Sequence, residues 1–451
     1  MADPPPAGET HPQRILVIGE GRLIGVVRRA LHDVGADVVH LHTPSDREIR
    51  RMLTPDTDAV VVVSRDDRVS LRIALIVEGL CPGVRLIVTI YNRDLGDQVR
   101  RAVENARVMS MADIVAPALA GPCLGDQLIA VSRSPAGPRG VRAGTHGPVL
   151  GPLKPRGGHV ADRLRANTMA LLHPFELSAR TVLAGLLGFI AILVADAVVV
   201  GIALEEPPID ALYLATKVIV TVGPNPHIDD GPGWLKLFSA ATMLAALAFT
   251  AVFTAGLINR LMGPRRVAML GRRAMPRRNH VVVVGLGQVG LRLCQMLREL
   301  GVPVVAVERD AEADNVARAK HYGVPVVIGG GASRTLLCRL CLPRARALAA
   351  VTSDEIENIS TAVAALAIRR ELPTMLRAGS GDVVDETRAL FSIGVVRDVY
   401  FIGGTLLAAA ALGSSASEAF SYDGRVYVTR PDGAVETYAE HVGALAGSRE
   451  R

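Results

Sequence analysis

Hydrophobic positions fall along this chain in two kinds of run. Long unbroken ones occur twice: Thr181 to Ala203 reads TVLAGLLGFIAILVADAVVVGIA with one charge, Asp196, and Leu237 to Met262 is similarly apolar. Each is long enough to cross a hydrocarbon core about 30 Å thick as a helix, and two such runs close together argue against helices of a soluble core. Between them, Ala211 to Val220 (ALYLATKVIV) is apolar but only ten residues long. That is too short to span and suits a helix that dips into the bilayer and returns. Short apolar runs flank this region. RILVIG near the N-terminus and HVVVVG and VPVVAVE after the second long run each end in a glycine or an acid and read as buried strands alternating with amphipathic helices. Near the C-terminus RVYVTRPDGAVETY alternates about a Pro-Asp-Gly turn, the pattern of a β-hairpin.

Charge gives the long runs a direction. Arg163, Arg165 and Arg180 precede the first, and Arg260, Arg265, Arg266, Arg272, Arg273, Arg277 and Arg278 follow the second, while the stretch between them carries Glu205, Glu206, Asp210, Asp229 and Asp230. The positive-inside rule then predicts a multi-pass plasma-membrane protein with both termini cytoplasmic. Trp234, the one tryptophan, falls where an interfacial anchor belongs. Lys217 and Asp196 are charges at membrane depth; either they pair with each other, or Lys217 reaches the surface and Asp196 faces a subunit contact. A length of 451 residues allows two or three globular units besides the membrane part, and a mean hydropathy of +0.31 agrees with a bilayer. The net charge of +6 is almost all arginine, with lysine only at 154, 217, 236 and 320, and no nucleic-acid partner is expected. Five scattered cysteines predict no disulfide framework, and Cys338-Arg-Leu-Cys341 reads as two small apolar residues on one helix face. The N-terminus lacks the cationic start and apolar core of a cleavable signal.

The strand His280 to Val284 runs into Gly285-x-Gly287-x-x-Gly290, an amphipathic helix follows, and a second strand ends in Glu308. Strand, glycine turn, helix, strand and terminal acid in about 30 residues form the dinucleotide-binding fingerprint. Its glycines let the backbone approach a pyrophosphate at a helix N-terminus, and the acid accepts from ribose hydroxyls. The acid favours an unphosphorylated 2′-hydroxyl, so the expected ligand is NAD(H) or an adenine nucleotide. Candidate binding residues are Gly285, Gly287, Gln288, Val289, Gly290, Glu308, Arg309 and Thr352. No catalytic residue, metal site or substrate domain is evident, so an enzyme is not expected.

RILVIGEGRLIGVVRRAL resembles HVVVVGLGQVGLRLCQML, and AVVVVSRDDRVSLRIALIVEGL resembles ALAAVTSDEIENISTAVAALAI, so the N-terminal region is a worn copy of the C-terminal one. The offset grows from 266 at Gly19/Gly285 to 288 at Ser70/Asn358, a loss of about 22 residues where the third strand of the second copy lies. The glycine turn of the first copy, Gly19-x-Gly21-x-x-x-Gly25, is one residue too long, and its second strand ends in His40-Leu41-His42 without a carboxylate. This copy is expected to keep the fold, mostly lack the nucleotide and serve assembly. Two alternating histidines either sit on a strand face or sense pH or metal. Residues 132–160, rich in glycine, proline and arginine, read as a flexible linker.

ALYLATKVIVTVG resembles the pore helix and start of the selectivity filter in two-transmembrane potassium channels, with Thr221, Val222 and Gly223 in register. The resemblance implies four subunits, each offering backbone carbonyls to a monovalent cation. The family continues Tyr-Gly-Asp where this chain has Pro224, Asn225 and Pro226, so the filter residues expected here are Thr221, Val222, Gly223, Pro224 and Asn225 in a non-standard arrangement. Residues 279–410 resemble the RCK/TrkA-N family, the regulators of potassium conductance; the Thr352-Ser353-Asp354 turn and Asn358 match, and Gly331 stands where the family has aspartate. The expected fold is α/β plus α-helical membrane, two Rossmann-like parallel-sheet domains flanking a two-helix transmembrane pore hairpin. Its expected divisions are a disordered N-terminus (1–13), a degenerate Rossmann domain (14–131), a basic linker (132–172), a pore unit (173–262, spans 181–203 and 237–262, pore helix and filter 211–226), a basic linker (263–278), an RCK/TrkA-N domain (279–416) and a terminal hairpin (417–451). The expected function is a ligand-gated, potassium-like cation channel in a lipid bilayer, a homo-oligomer and by resemblance a tetramer. The alternative is a non-conducting membrane-anchored nucleotide sensor.

Overall fold

In the computed structural model the described residues are 12–125, 127–134, 137–145, 147–153, 177–219, 232–262, 276, 278–379 and 394–442. The chain divides into a discontinuous unit, residues 1–160 with 275–451, and a second unit, 161–274.

The discontinuous unit holds both Rossmann copies. The first runs β1 (Arg14–Gly19), α1 (Arg22–His32), β2 (Asp37–Leu41), α2 (Asp46–Met52), β3 (Ala59–Val63), α3 (Asp67–Leu80), β4 (Arg85–Thr89), α4 (Arg93–Ala102), β5 (Ala106–Met109) and α5 (Met111–Leu124). Its parallel sheet has the order β2-β1-β3-β4-β5. A three-stranded antiparallel sheet follows, β6 (Leu128–Ser134), β7 (Gly137–Gly144) and β8 (Gly147–Pro152). The segment read as a flexible linker from 132 is therefore sheet as far as Pro152, held by backbone pairing despite its glycines and prolines.

The second copy runs β9 (Val281–Val284), α9 (Gln288–Glu299), β10 (Val304–Glu308), α10 (Asp314–His321), β11 (Val326–Ile328), α11 (Arg334–Arg339), β12 (Ala347–Ala350), α12 (Glu355–Leu366), β13 (Thr374–Ala378), β14 (Val395–Asp398) and α13 (Val399–Ala411). Its order is β11-β10-β9-β12-β13-β14, all parallel. The first copy matches it strand for strand except for β11, which has no counterpart. That missing edge strand is where the offset between the copies predicts the loss. An antiparallel sheet closes this copy too, β15 (Glu418–Tyr422), β16 (Arg425–Thr429) and β17 (Val435–Thr437). The expected hairpin is β16 and β17, and β15 is a third strand added to it.

The copies exchange their last helices. α13 packs on α1, and α5 packs on α9. Both exchanged helices are apolar nearly all round, as a helix enclosed on every side must be. Glycine makes the first contact close: a Cβ on Gly404 would meet Val26 Cγ1 at 2.6 Å, and one on Gly403 would clash with Met111. One buried core consequently runs through both copies, from Ile15 and Val27 to Leu293 and Leu406. Polar clasps repeat the symmetry. Arg107, on β5, donates to the carbonyls of Ser414 and Ala416, while Arg397, on β14, donates to those of Ile129 (3.2 Å) and Ser421 (2.7 Å). Each arginine thus ties down chain just beyond the other copy's last helix. Arg292 pairs with Asp113, and Arg22 with Glu355 at 3.0 Å. α11 ends at Arg339 and Cys341 adopts φ 56°, so Cys338 and Cys341 do not share the helix face expected of them, and Cys338 is exposed.

The second unit contains α6 (Leu177–Leu204), α7 (Pro208–Ile219) and α8 (Gly233–Met262). α6 and α8 are long and apolar enough to cross a membrane, over Ala184–Leu204 and Gly233–Ala255. Leu187, Val194, Ile202, Leu237, Leu244 and Leu247 on them are exposed, as lipid-facing side chains are. α7 covers the expected pore helix as far as Ile219, whereas Val220 and the filter residues Thr221 to Asn225 lie outside the described residues. Asp196 does not pair with Lys217, which lies 5.7 Å from the Tyr213 ring centroid, nor does it point out toward a subunit contact; it is fully buried and accepts from the Thr242 hydroxyl on α8 at 3.0 Å.

Candidate nucleotide site

The site is built at the C-terminal ends of β9, β10 and β12. β9 is four buried valines and ends at Gly285, whose N–H donates to the Val307 carbonyl at 2.9 Å and whose φ is +93°. Glycine is required there twice over: the left-handed backbone excludes most side chains, and a Cβ would sit 2.8 Å from the Thr352 nitrogen. A Cβ on Gly290 would lie 1.9 Å from the Gly285 carbonyl oxygen, so the third glycine brings α9 onto the turn. Gly287 differs, because nothing lies within 4 Å of where its Cβ would be. It is the N-cap of α9 and supplies no side chain to the first N–H groups, which include that of Gln288. Uncapped N–H groups beside open space can hold an anion. Val289 contributes only backbone to this edge, since its side chain is part of the core.

Glu308 closes the turn. Its Oε2 accepts from the Leu286 N–H at 2.8 Å, and its Oε1 accepts from the N–H groups of Arg309 and Asp310 at 2.8 and 3.2 Å. A carboxylate has about four acceptor positions, so this clamp leaves capacity for a hydroxyl. Arg309 pairs with Glu357 at 2.7 Å, which draws its guanidinium toward α12. Thr352 faces inward: its N–H donates to Asn358 Oδ1 at 2.9 Å, and its hydroxyl lies 2.9 Å from both that atom and the Asp354 carbonyl. Asn358, almost wholly buried, donates in turn to the carbonyls of Thr352 and Arg377. The fold thus brings together Gly285, Gly287, Gln288, Gly290, Glu308 and Thr352 and leaves Val289 and Arg309 engaged elsewhere. Glu357 was missed; its place in the first turn of α12 is the signal that could have found it. At Gly331 a Cβ would lie 2.2 Å from Val284 Cγ1, so β9 presses on the position where the family carries aspartate.

The first copy resolves the same corner differently. Gly19, at φ +136°, could not carry a Cβ, which would lie 2.1 Å from the Val63 carbonyl oxygen. His42 occupies the register position of Glu308, since β1 pairs Ile18 with Leu41 as β9 pairs Val284 with Val307. His40, not His42, reaches the turn: its Nε2 donates to the Gly19 carbonyl at 2.9 Å, and its Nδ1 lies 3.4 Å from Arg28 Nη1. The two imidazoles are 4.3 Å apart. A cavity of about 230 Å³ opens at the far edge of this copy, lined by Tyr91, Asn92, Arg100, Arg107 and Ser110 among others.

Residues 281–395 match the TrkA-N domain family. The match covers most of the second Rossmann copy. The chain is also similar to potassium channel protein 1 of Methanocaldococcus jannaschii, 23% identical over 136 residues, which is 30% of this chain and 40% of that protein. Solved structures to which the chain is similar include the GsuK RCK domain (13% identity, TM-score 0.48, covering 90% of this chain and 77% of that one) and the GsuK channel bound to NAD (13%, 0.48, 89% and 64%). The TrkA-N match stops short of α13 and the terminal sheet, the parts through which the two copies interlock.

Proposed function

We propose that this chain is a subunit of a potassium-like cation channel whose opening is set by NAD(H) or an adenine nucleotide bound to the TrkA-N domain. The observation that carries the reading is the pairing, on one chain, of an uncapped glycine turn guarded by Glu308 with two membrane-length helices around the short α7. Gly285, Gly287, Gln288 and Gly290 would meet the pyrophosphate, Glu308 the ribose, and Thr352 would hold the turn in shape. The ring of subunits, four by analogy with the pore family, would surround an axis lined by Thr221 to Asn225, with both termini in the cytoplasm. Coupling requires the nucleotide to bind the open and closed states unequally. Reconstitution in liposomes, with potassium and sodium flux followed with and without NAD and ADP, tests this directly. Nucleotide-dependent flux is expected; absence of flux for every monovalent cation would overturn the pore. In that case nucleotide binding without flux would support a membrane-anchored sensor, a reading favoured by one observation, the Pro224-Asn225 departure after Gly223.

A further inference from the structure

Within the membrane unit, Asp196 is fully buried between α6 and α8. Its Oδ1 lies 3.0 Å from the Thr242 hydroxyl, and its Oδ2 has no partner among the described residues. The neighbouring side chain one turn back on α8, Ser239, is enclosed at 3% exposure, and its hydroxyl likewise has none among them. Thr242 has one hydroxyl proton and two acceptors at 3.0 Å, Asp196 Oδ1 and the Ser239 carbonyl, so it cannot satisfy both. Buried polar atoms are nearly always hydrogen-bonded to protein or ordered water, and an uncompensated carboxylate at membrane depth is costlier still. Among the described residues no cationic side chain pairs with it, and Lys217 on the adjoining α7 lies against Tyr213 instead.

We propose that Asp196, Ser239 and Thr242 form a binding site for a single monovalent alkali cation, separate from the filter. The carboxylate supplies one negative charge, and the two hydroxyls supply further oxygen ligands. One carboxylate balances one positive charge, whereas divalent sites generally gather several. A bound water would pair with the oxygens but leave the charge standing. The site joins the first span to the second behind α7, so its occupancy would fasten the two helices together. It does not depend on whether the pore conducts.

The test is thermal unfolding of the full chain in detergent, with sodium or potassium chloride titrated against choline chloride at constant ionic strength. Wild type should gain several degrees with a saturable dependence on the alkali cation. Asp196→Asn, which keeps the shape and removes the charge, should lose most of that gain, and Ser239→Ala should keep it with an apparent affinity weakened several-fold. A cation-dependent gain that persists unchanged in both variants would belong to the filter and overturn the proposal, as would no cation dependence in wild type. Should Asp196→Asn fail to fold, an unchanged affinity in Ser239→Ala is sufficient to overturn it.

Discussion

The two Rossmann copies share a strand order but secure the glycine turn with groups of opposite polarity. In the TrkA-N copy Glu308 accepts from the turn's N–H groups; in the N-terminal copy His40 donates to the turn's carbonyl. Either bond ties the second strand to the first and keeps the fold. Only the acceptor is also suited to a ribose hydroxyl. The difference separates what the fold needs at that corner, any bridge, from what a nucleotide needs, an acid with spare lone pairs.

Several measurements would break or sharpen that contrast. The largest effect should come from the third glycine. Gly290→Ala forces a Cβ into the Gly285 carbonyl and should destabilise the chain by about 2–3 kcal/mol with loss of nucleotide binding. Gly25→Ala, in a helix with open space around the new methyl, should be neutral or stabilising by up to about 1 kcal/mol. Equal losses in thermal unfolding would show that the two turns are constrained alike. Next, Arg107→Ala strips donors from the Ser414 and Ala416 carbonyls and should cost about 1–3 kcal/mol in denaturant titration, an effect on the clasp between copies rather than on the site. Glu308→Ala should weaken NAD or ADP at least about tenfold by calorimetry, about 1.4 kcal/mol, while His42→Ala at the same register position should leave affinity unchanged.

The smallest effect concerns acid. Burial pushes the His280 imidazole below its usual range, although its Nε2 bonds the Leu340 carbonyl at 2.9 Å. The unfolded chain therefore takes up this proton first. Stability present above about pH 6.5 should fall as the pH drops below it. The first copy has Arg14 at the equivalent position, its side chain part-exposed. A His280→Asn variant should flatten the acid limb of the wild-type stability curve, whatever its overall stability.

The glycine turn, its acid and the lost edge strand were legible because each is a local constraint: a left-handed φ, a register position, a count of residues. The sheet β6 to β8 was not. Gly140, Gly144, Gly151, Pro138 and Pro152 are residues that strands avoid, and the register there is held by backbone pairing. α5 hid behind Pro117 and Pro122, which argue locally for a break but stand in a helix enclosed by the other copy. The exchange of α5 and α13 depends on a tertiary partner, and short-range pattern carries no trace of it. At the site, the Arg309–Glu357 pair was hidden for a similar reason, since Glu357 lies 48 residues further along the chain.

The exchanged helices also set a timetable. α1 is made well before the helix that covers it, α13, which follows both membrane-length segments and most of the TrkA-N copy. At ordinary elongation rates the apolar groove of α1 stays uncovered for on the order of tens of seconds. The nascent N-terminal copy must stay soluble through that interval with its apolar groove facing water.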